Sequence, residues 1–195
     1  MRQNPARRTA LLDAAIEVLA REGSRGLTLR AVDAEAQVPV GTCSNYFSNR
    51  AQLLLQIMER TRERLTPDPA ELAEALAVPP SPELVAFLLR QVHQRMDADR
   101  SSYLAMLELR LEGVRRPELG AELNRIHRAG LEENIRFHRD AGLPGDRVAV
   151  VLLYLAVHGM IVDDLTVPDV LAGSAGELID ELCRRLLPRD ATGNA

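Results

Sequence analysis

Histidine and aspartate, residue types that often carry enzyme or metal chemistry, form no catalytic pattern in this sequence. The four histidines are scattered, and none has the HExxH or ExxH spacing of a helical metal site. Asp163, Asp164 and Asp169 resemble an aspartate-rich metal motif, but Pro168 interrupts them and favours a helix end followed by a loop. A glycine-rich phosphate loop and a nucleophile elbow are both missing. We therefore expect no enzymatic activity, no metal and no cofactor, and keep an all-helical enzyme as the alternative class.

The two cysteines also give no indication of chemistry. Cys43 and Cys183 lie far apart and form neither a CxxC pair nor a zinc spacing. A redox sensor needs an activated thiolate, and no cation stands beside Cys43 in the sequence to activate it. We expect Cys43 to be a small buried residue, because free cysteine packs as a small hydrophobe. The lack of a disulfide pattern and of an apolar signal core at the start favours the cytoplasm.

The arginines are distributed as expected for a protein that binds a polyanion. Residues 1–66 carry ten arginines and seven acidic residues, a net +3, whereas the remainder carries 14 arginines and 21 acidic residues, a net −7. A basic head on an acidic body indicates that the head binds nucleic acid. A head that binds protein instead is the alternative, which this asymmetry disfavours. Arg2, Arg7 and Arg8 form either a solvated tail or an arm along a nucleic-acid backbone.

Hydrophobic spacing predicts four helices in the first third of the chain. They cover residues 6–21, 29–36, 40–46 and 50–65. Thr28 is placed to cap the second helix, and Ser48 or Asn49 to cap the fourth. Pro39 cannot continue the second helix, yet it is tolerated in the first turn of the third. Two short helices joined by a tight turn form a helix-turn-helix, whose second helix would lie in the major groove of DNA.

This segment resembles the signature of the TetR family of transcriptional regulators. The family pattern is Gly-Val-Ser-x-Gly-Thr-Leu-Tyr-x-Tyr/His-Phe-x-x-Lys-x-x-Leu, and the matching run here is Val38-Pro39-Val40-Gly41-Thr42-Cys43-Ser44-Asn45-Tyr46-Phe47-Ser48-Asn49-Arg50, with Leu53-Leu54 after it. The resemblance covers roughly residues 8–56. The sequence departs from the pattern at Pro39, Cys43, Ser44 and Arg50. The resemblance implies an all-α protein of about nine helices, with a three-helix DNA-binding head at 1–48 and a ligand-binding and dimerisation body at 49–195.

The resemblance and the side-chain chemistry together nominate seven residues that contact DNA: Thr28, Arg30, Thr42, Ser44, Asn45, Tyr46 and Arg50. Ser44 stands where the family often has a tyrosine that contacts DNA. Because serine is short, it reaches only a near phosphate or base edge. We therefore expect base readout to depend on Asn45, Thr42 and Arg30, or on DNA shape.

Structural roles are the alternative for several of these residues. Thr28 caps a helix, which is compatible with a phosphate contact. Tyr46 can pack its ring and still offer its hydroxyl to phosphate, whereas Phe47 is expected in the core. Arg50 stands at a helix N-terminus, which is electrostatically unfavourable for a cation. A phosphate nearby would explain that position, so we favour a DNA contact for Arg50.

Long helical stretches dominate the sequence after Ser81. They are expected near 82–97, 101–114, 117–141, 145–165 and 175–187, with a short helix or a tethered loop at 70–77. The sequence shows no convincing strand pattern and no repeat of fixed period. The longest apolar run, at 148–157, is too short to span a bilayer, so we expect no membrane segment.

The apolar stretch at 148–162 predicts a subunit interface. A helix that is apolar on every side must be covered on every side, and in a chain of this size the second cover is often another subunit. A partner stripe is formed by Leu178, Leu182 and Leu186 with Ile179 and Cys183. Two such helices from each chain would form a four-helix interface, as in dimers of the TetR family. We expect a homodimer through residues 145–165 and 175–187.

The resemblance also implies a ligand cavity in the body. Helical spacing nominates Tyr103, Met106, Arg110, Asn134, Phe137, His138 and His158. Polar groups within apolar stripes need a partner, which is either a ligand or a neighbouring side chain or water. We expect a small, mainly apolar effector with a hydrogen-bonding or anionic group. The implied function is a repressor that this effector releases from a pseudo-palindromic operator in double-stranded DNA.

Overall fold

The computed structural model describes residues 4–171 and 173–188, and the regular structure within these ranges is helical. Over these ranges the α-helices are α1 Pro5–Gly26, α2 Leu29–Glu35, α3 Arg50–Leu65, α4 Pro69–Ala75, α5 Pro82–Ala98, α6 Arg100–Arg115, α7 Pro117–Asp140, α8 Arg147–Thr166 and α9 Ala175–Leu186. A 3-10 helix, Cys43–Asn45, lies between α2 and α3 in the chain. The predicted all-α class is confirmed.

Helix α3 begins and ends at the predicted residues because its local signals agree. The side chain of Asn49 accepts a hydrogen bond from the backbone N–H of Gln52 at 2.9 Å, so Asn49, and not Ser48, is the N-cap. The buried residues of α3, among them Leu53 and Ile57, recur at the spacing of one helical face. Cap and apolar stripe therefore define the same helix.

The predicted length of the third helix of the head is wrong. A helix was expected over residues 40–46, but only Cys43–Asn45 is helical, and it forms a single 3-10 turn. Pro39 has no backbone N–H, and Gly41 adopts a φ of 93°, a left-handed conformation that ends any helical ladder on its N-terminal side. A regular helix can therefore begin only after Gly41, which leaves room for one turn before Phe47.

The chain divides into two compact units, of which the first contains residues 1–66 and 99–125. Here α1 packs against α2, α3 and α6. Fully buried side chains form its core: Leu11, Ile16, Leu19, Leu27, Phe47, Leu53, Ile57, Tyr103 and Leu109. Arg64 binds Asp99 through a 2.8 Å ion pair that joins α3 to the start of α6. The predicted domain boundary near residue 48 separates a DNA-binding part from a ligand-binding and dimerisation part. This boundary stays a prediction.

The second unit contains residues 67–98 and 126–195, described here as far as residue 188 and without residue 172. Within it α5 packs against α8 and α9. Arg90 pairs with Asp180 of α9, and Nε2 of His93 lies 2.6 Å from Oδ2 of Asp164 in α8. The buried core of this unit includes Leu153, Val157, Ile161, Ile179 and Cys183.

Within the described residues, helix α8 is covered on one side only. Leu153, Val157 and Ile161 are buried, whereas Val148 and Leu155 are 62% and 59% exposed. The expectation of no membrane segment was based on the apolar run at 148–157. The helix that contains this run is longer, with 20 residues. By length and composition alone α8 could cross a membrane, although the core helix of a soluble protein passes the same test. The apolar run therefore does not decide the question.

Candidate DNA-binding surface

A buried carboxylate holds the segment between α2 and α3 in place. Asp33 is 1% exposed. Its Oδ2 accepts a hydrogen bond from the backbone N–H of Gly41 at 2.7 Å, and its Oδ1 accepts one from the backbone N–H of Cys43 at 2.6 Å. Such charge-assisted hydrogen bonds are short and strong. The side chain of α2 thus anchors both ends of the turn that leads into the 3-10 helix.

The sequence contains one signal for this anchor, although Asp33 was not among the predicted functional residues. Asp33 follows Val32 directly, and these two are the buried residues of α2. An acidic residue on the buried face of a short helix needs hydrogen-bond donors. The donors are backbone groups eight and ten residues away, so their identity depends on how the turn folds.

Cys43 is packed inside the head. It is fully buried, and burial raises the pKa of its thiol to about 11, with a further contribution from the negative charge of Asp33. The thiol stays protonated at neutral pH and is a poor nucleophile. Cys43 therefore has the properties of a small buried hydrophobe, as the sequence indicated.

Most of the predicted DNA-contacting side chains are accessible in the first unit. Thr28, Arg30, Ser44 and Asn45 are exposed, and Thr42 and Tyr46 are half-buried. Phe47 is 1% exposed and belongs to the core, as expected. The anchored turn and the first turn of α2 therefore present hydroxyl, amide and guanidinium groups to a ligand outside the chain.

The hydroxyl groups differ in what they can still donate. Thr42 donates its hydroxyl proton to the carbonyl of Pro39 at 2.6 Å, and Ser44 donates its own to the carbonyl of Gly41 at 2.7 Å. A hydroxyl has one proton and two acceptor lone pairs, so both can accept from a base amino group while keeping these bonds. The Thr28 hydroxyl instead accepts from the backbone N–H of Ala31 at 3.1 Å, which confirms its role as a cap. Its proton can still be donated to a phosphate.

The structure gives Arg50 partners other than the phosphate that the sequence analysis favoured. Its guanidinium donates to the backbone carbonyls of Leu27 and Ser24, and to the Ser24 hydroxyl at 2.9 Å. These carbonyls lie at the C-terminal end of α1, where the helix dipole favours a cation. This contact offsets the unfavourable position of Arg50 at the start of α3. No phosphate is therefore needed to explain why an arginine stands here.

Arg8 is folded onto the head instead of extending as a tail. Its Nε donates to the side-chain carbonyl of Gln56 at 3.0 Å, and its Nη1 donates to the backbone carbonyl of Tyr46 at 3.4 Å. Its Cζ atom lies 5.1 Å from the centroid of the Phe47 ring, within the range of a cation–π contact. Arg7 is exposed, and Arg2 lies outside the described residues.

The residues nominated for the effector cavity fall into both compact units. Tyr103, Met106 and Arg110 lie on α6 in the first unit, where Tyr103 is buried and Arg110 is exposed. The other four lie on α7 and α8 in the second unit: Asn134, Phe137, His138 and His158. The grouping of the seven residues into one cavity stays a prediction.

The structure shows the surroundings of three of these residues, and for Asn134 they differ from the sequence expectation. Asn134 was placed within an apolar stripe, but it is exposed, so water can satisfy its amide. His138 is buried, and its Nε2–H donates to the carbonyl of Pro144 at 2.8 Å. Burial lowers the pKa of this imidazole. The ring of His158 instead stacks on Tyr154, with 5.3 Å between the ring centroids.

Within the described residues, no group of three His, Cys, Asp or Glu side chains is placed to hold a metal ion. Of the aspartates that resembled a metal motif, Asp164 lies beside His93. The candidate functional site is therefore the surface around the turn that Asp33 anchors in the head.

Family models match both parts of the chain. The model for bacterial regulatory proteins of the tetR family matches residues 11–57, and the model for the tetracyclin repressor-like C-terminal domain matches residues 68–189. The chain belongs to the TetR family of bacterial transcriptional regulators. Its helix-turn-helix head is therefore the DNA-binding part of a transcriptional regulator. No curated protein matches the sequence significantly.

Several solved structures share this fold over nearly the whole chain. One is the multidrug binding protein EbrR complexed with imidazole, with 26% identity, a TM-score of 0.68, and coverage of 97% of this chain and 99% of that one. Another is a TetR family member from Streptomyces coelicolor, with 26% identity, a TM-score of 0.69, and coverage of 94% and 99%. The fatty acid degradation regulator FadR from Bacillus halodurans is 17% identical, with a TM-score of 0.71 and coverage of 94% and 95%, and supports the fold alone.

Proposed function

We propose that this regulator is a repressor that binds a pseudo-palindromic operator as a homodimer and is released from it by a small molecule. The observation that carries the proposal is the turn anchored by Asp33, which leaves Ser44 and Asn45 exposed, while Thr28 and Arg30 are exposed at the start of α2. This is the arrangement that a helix-turn-helix needs to read DNA. Its place of action is the cytoplasm, and no enzymatic step is part of the proposal.

The side chains divide into two groups by what they can contact. Asn45 and Arg30 have the donor and acceptor geometry to bind adenine and guanine edges in the major groove. Thr42 and Ser44 accept from base amino groups, because their own protons are already donated to backbone carbonyls. Thr28 and Tyr46 bind phosphates and set the register of the head on the duplex.

The exposed side of α8 is the proposed dimer interface. Val148, Leu152, Leu155 and Gly159 are all exposed and recur at the spacing of one helical face. Leu178 of α9 is 38% exposed. A second copy of the chain would cover these apolar side chains, and two helices from each copy would form a four-helix interface.

Release requires an effector that binds better to the form of the protein that cannot bind DNA. The head is attached to the rest of the first unit through α3 and α6. Arg50 of α3 bonds to the end of α1, and Glu108 of α6 accepts a hydrogen bond from the backbone N–H of Ser24 at 3.1 Å. A shift of either helix would tilt the head and change the spacing of the two heads of a dimer. The solved EbrR complex with ethidium supports a small-molecule effector for a related protein.

The proposal is tested by selecting genomic fragments with the full-length protein and titrating the selected site. We expect a pseudo-palindromic site with half-sites about 34–36 Å apart or a multiple of that spacing. Affinity should fall steeply between about 50 mM and about 200 mM salt, because the head, which carries a net charge of +3 over residues 1–66, displaces counterions from DNA. A protein that selects no fragment, or binds equally at both salt concentrations, is not this kind of repressor.

A further inference from the structure

One apolar side chain of the head is left in solvent. Val40 is 76% exposed, whereas the apolar residues Val32, Cys43 and Phe47 nearby in the chain are buried. A single exposed apolar residue is common on protein surfaces, so exposure alone assigns no role to Val40. Its role follows from its place, because Val40 stands in the turn that Asp33 anchors.

The backbone around Val40 is held on both sides. The backbone N–H of Thr42 donates to the carbonyl of Pro39 at 3.1 Å, which closes a turn with Val40 and Gly41 at its centre. The carboxylate of Asp33 holds the N–H of Gly41, in the peptide unit that directly follows Val40. The turn therefore keeps the valine side chain at the surface of the head.

Val40 is close to a residue that is proposed to read DNA. The hydroxyl of Ser44 donates to the carbonyl of Gly41 at 2.7 Å, so the serine lies at the same turn as Val40. In a helix-turn-helix, the N-terminal residues of the second helix contact base edges in the major groove. Val40 stands three residues before the 3-10 helix that takes this place in the head. We therefore expect Val40 and Ser44 to meet the base edges together.

The apolar group that bases present in the major groove is the C5-methyl of thymine. The side chain of Val40 cannot form a hydrogen bond with a phosphate or a base, but it can pack against a methyl group. Its branched Cβ restricts χ1, so little side-chain freedom is lost on contact. We propose that Val40 reads a thymine in each half-site of the operator through contact with the thymine methyl group. This inference rests on the proposed operator binding and adds a specificity-determining residue to it.

The hydroxyls beside Val40 are unsuited to thymine while their present hydrogen bonds hold. Thr42 and Ser44 donate their protons to backbone carbonyls, at 2.6 and 2.7 Å. Each hydroxyl can therefore only accept a further hydrogen bond, and the polar group of thymine in the major groove, O4, is itself an acceptor. Two acceptors without a proton between them do not bond. Of these three side chains, Val40 is thus the one that suits a thymine.

The test uses the operator that the wild type selects, with thymine replaced by deoxyuridine at one symmetric pair of positions at a time. This change removes the methyl group and keeps every hydrogen-bonding group of the base. A second operator carries cytosine, with or without a 5-methyl group, at the position that responds. The full-length wild type is compared with Val40→Ala. Val114→Ala is the matched control, because Val114 is an 85% exposed valine of the same unit outside the head. Fluorescence anisotropy measures operator binding, and circular dichroism measures unfolding.

We expect the methyl group to matter at one symmetric pair of positions. There the wild type and Val114→Ala should lose about fourfold in affinity per half-site with deoxyuridine, as expected for the burial of one methyl group. Val40→Ala should bind the thymine operator more weakly, lose little further with deoxyuridine, and unfold at the wild-type temperature. The 5-methyl group on cytosine should strengthen binding by the wild type and not by Val40→Ala.

The assignment is overturned if no thymine methyl group affects binding by the wild type. It is also overturned if removal of the methyl group weakens binding by Val40→Ala as much as binding by the wild type, since the valine would then only support the turn. A wild type that selects no operator refutes the proposed function itself. Operator binding that does not depend on the methyl group refutes only the role of Val40.

Discussion

The backbone N–H of Cys43 donates a hydrogen bond of 2.6 Å to Oδ1 of Asp33, ten residues earlier in the chain. The other oxygen of the same carboxylate holds the N–H of Gly41 at 2.7 Å. The position of Ser44 and Asn45, which follow Cys43 directly, is therefore set by a side chain of α2. If Ser44 and Asn45 contact DNA as proposed, recognition depends on a residue that need not touch DNA itself.

Replacement of Asp33 by Asn should weaken operator binding more than it weakens folding. An amide places an acceptor oxygen at only one of the two carboxylate oxygen positions, so one N–H group would face the NH₂ donor. We expect a loss of about 1–3 kcal/mol in unfolding free energy, which is typical for a buried unsatisfied group. Urea denaturation and an operator titration measure the two effects.

The control for Asp33→Asn is Glu35→Gln. Glu35 lies on the same helix but pairs with Arg21 on the surface, and such pairs contribute little. The Glu35→Gln variant should bind operator and unfold as the wild type does. Equal operator affinities for Asp33→Asn and wild type would show that the anchor is not required.

Replacement of Arg50 by Ala should lower stability, because the guanidinium binds carbonyls at the end of α1. Hydrogen bonds to a charged group are worth about 1.5–3 kcal/mol, and the half-buried position reduces this to about 1–2 kcal/mol. Arg30→Ala is the comparison, since Arg30 is exposed on α2 and proposed to contact DNA. It should leave the unfolding midpoint unchanged and weaken operator binding. If Arg50→Ala weakens DNA binding at unchanged stability, Arg50 is a phosphate contact after all.

Replacement of Asn45 by Ala should change which sequences are bound. A bidentate contact to a base is worth about 1–3 kcal/mol of discrimination, so preference should relax at one position in each half-site. Tyr46→Phe removes only a phosphate contact and should weaken binding to all sequences alike. Sequencing of the fragments that each variant selects distinguishes the two outcomes. An unchanged motif with Asn45→Ala would mean that another residue reads the bases.

Replacement of Gly159 by Glu should disrupt the dimer without unfolding the subunit. A Cβ atom at Gly159 would meet nothing within 4 Å in the described part of the chain. Glu at this position would place a charge on the exposed face of α8 that is proposed to meet a partner subunit. Gly130→Glu on α7 is the matched control, because its Cβ would also meet nothing within 4 Å. Ultracentrifugation should find a weakened dimer for Gly159→Glu alone. A stable wild-type monomer at micromolar concentration would contradict the proposed interface.

Acidification should destabilise the protein through His138. Burial lowers the pKa of this imidazole in the folded state, although its bond to the Pro144 carbonyl opposes the shift. The unfolded chain therefore binds a proton more readily, and stability falls as the pH drops below the ordinary histidine pKa of about 6.5. Urea denaturation at several pH values between about 7.5 and 5 should show this slope, and His138→Gln should reduce it. An identical pH dependence in both proteins would assign the slope to other groups.

Local signals in the sequence were sufficient for much of the fold. A cap at Ser48 or Asn49 and the apolar stripe of α3 predicted the bounds of that helix, and Thr28 was recognised as the cap of α2. The head motif and its exposed polar side chains were also predicted, since family spacing and side-chain chemistry are properties of neighbouring residues. The apolar residues of α8 likewise indicated a helix that one chain cannot cover.

Contacts between distant residues were decided by the tertiary structure. Asp33 meets Cys43 because a turn of left-handed Gly41 brings backbone N–H groups to a buried carboxylate. Arg50 was assigned to phosphate from its place on α3, but packing brings the end of α1, 23 residues away, to its guanidinium. Asn134 was counted with an apolar stripe, yet it is exposed. Periodicity identifies a helical face, whereas only the packed neighbours determine which side chains are buried and which groups they meet.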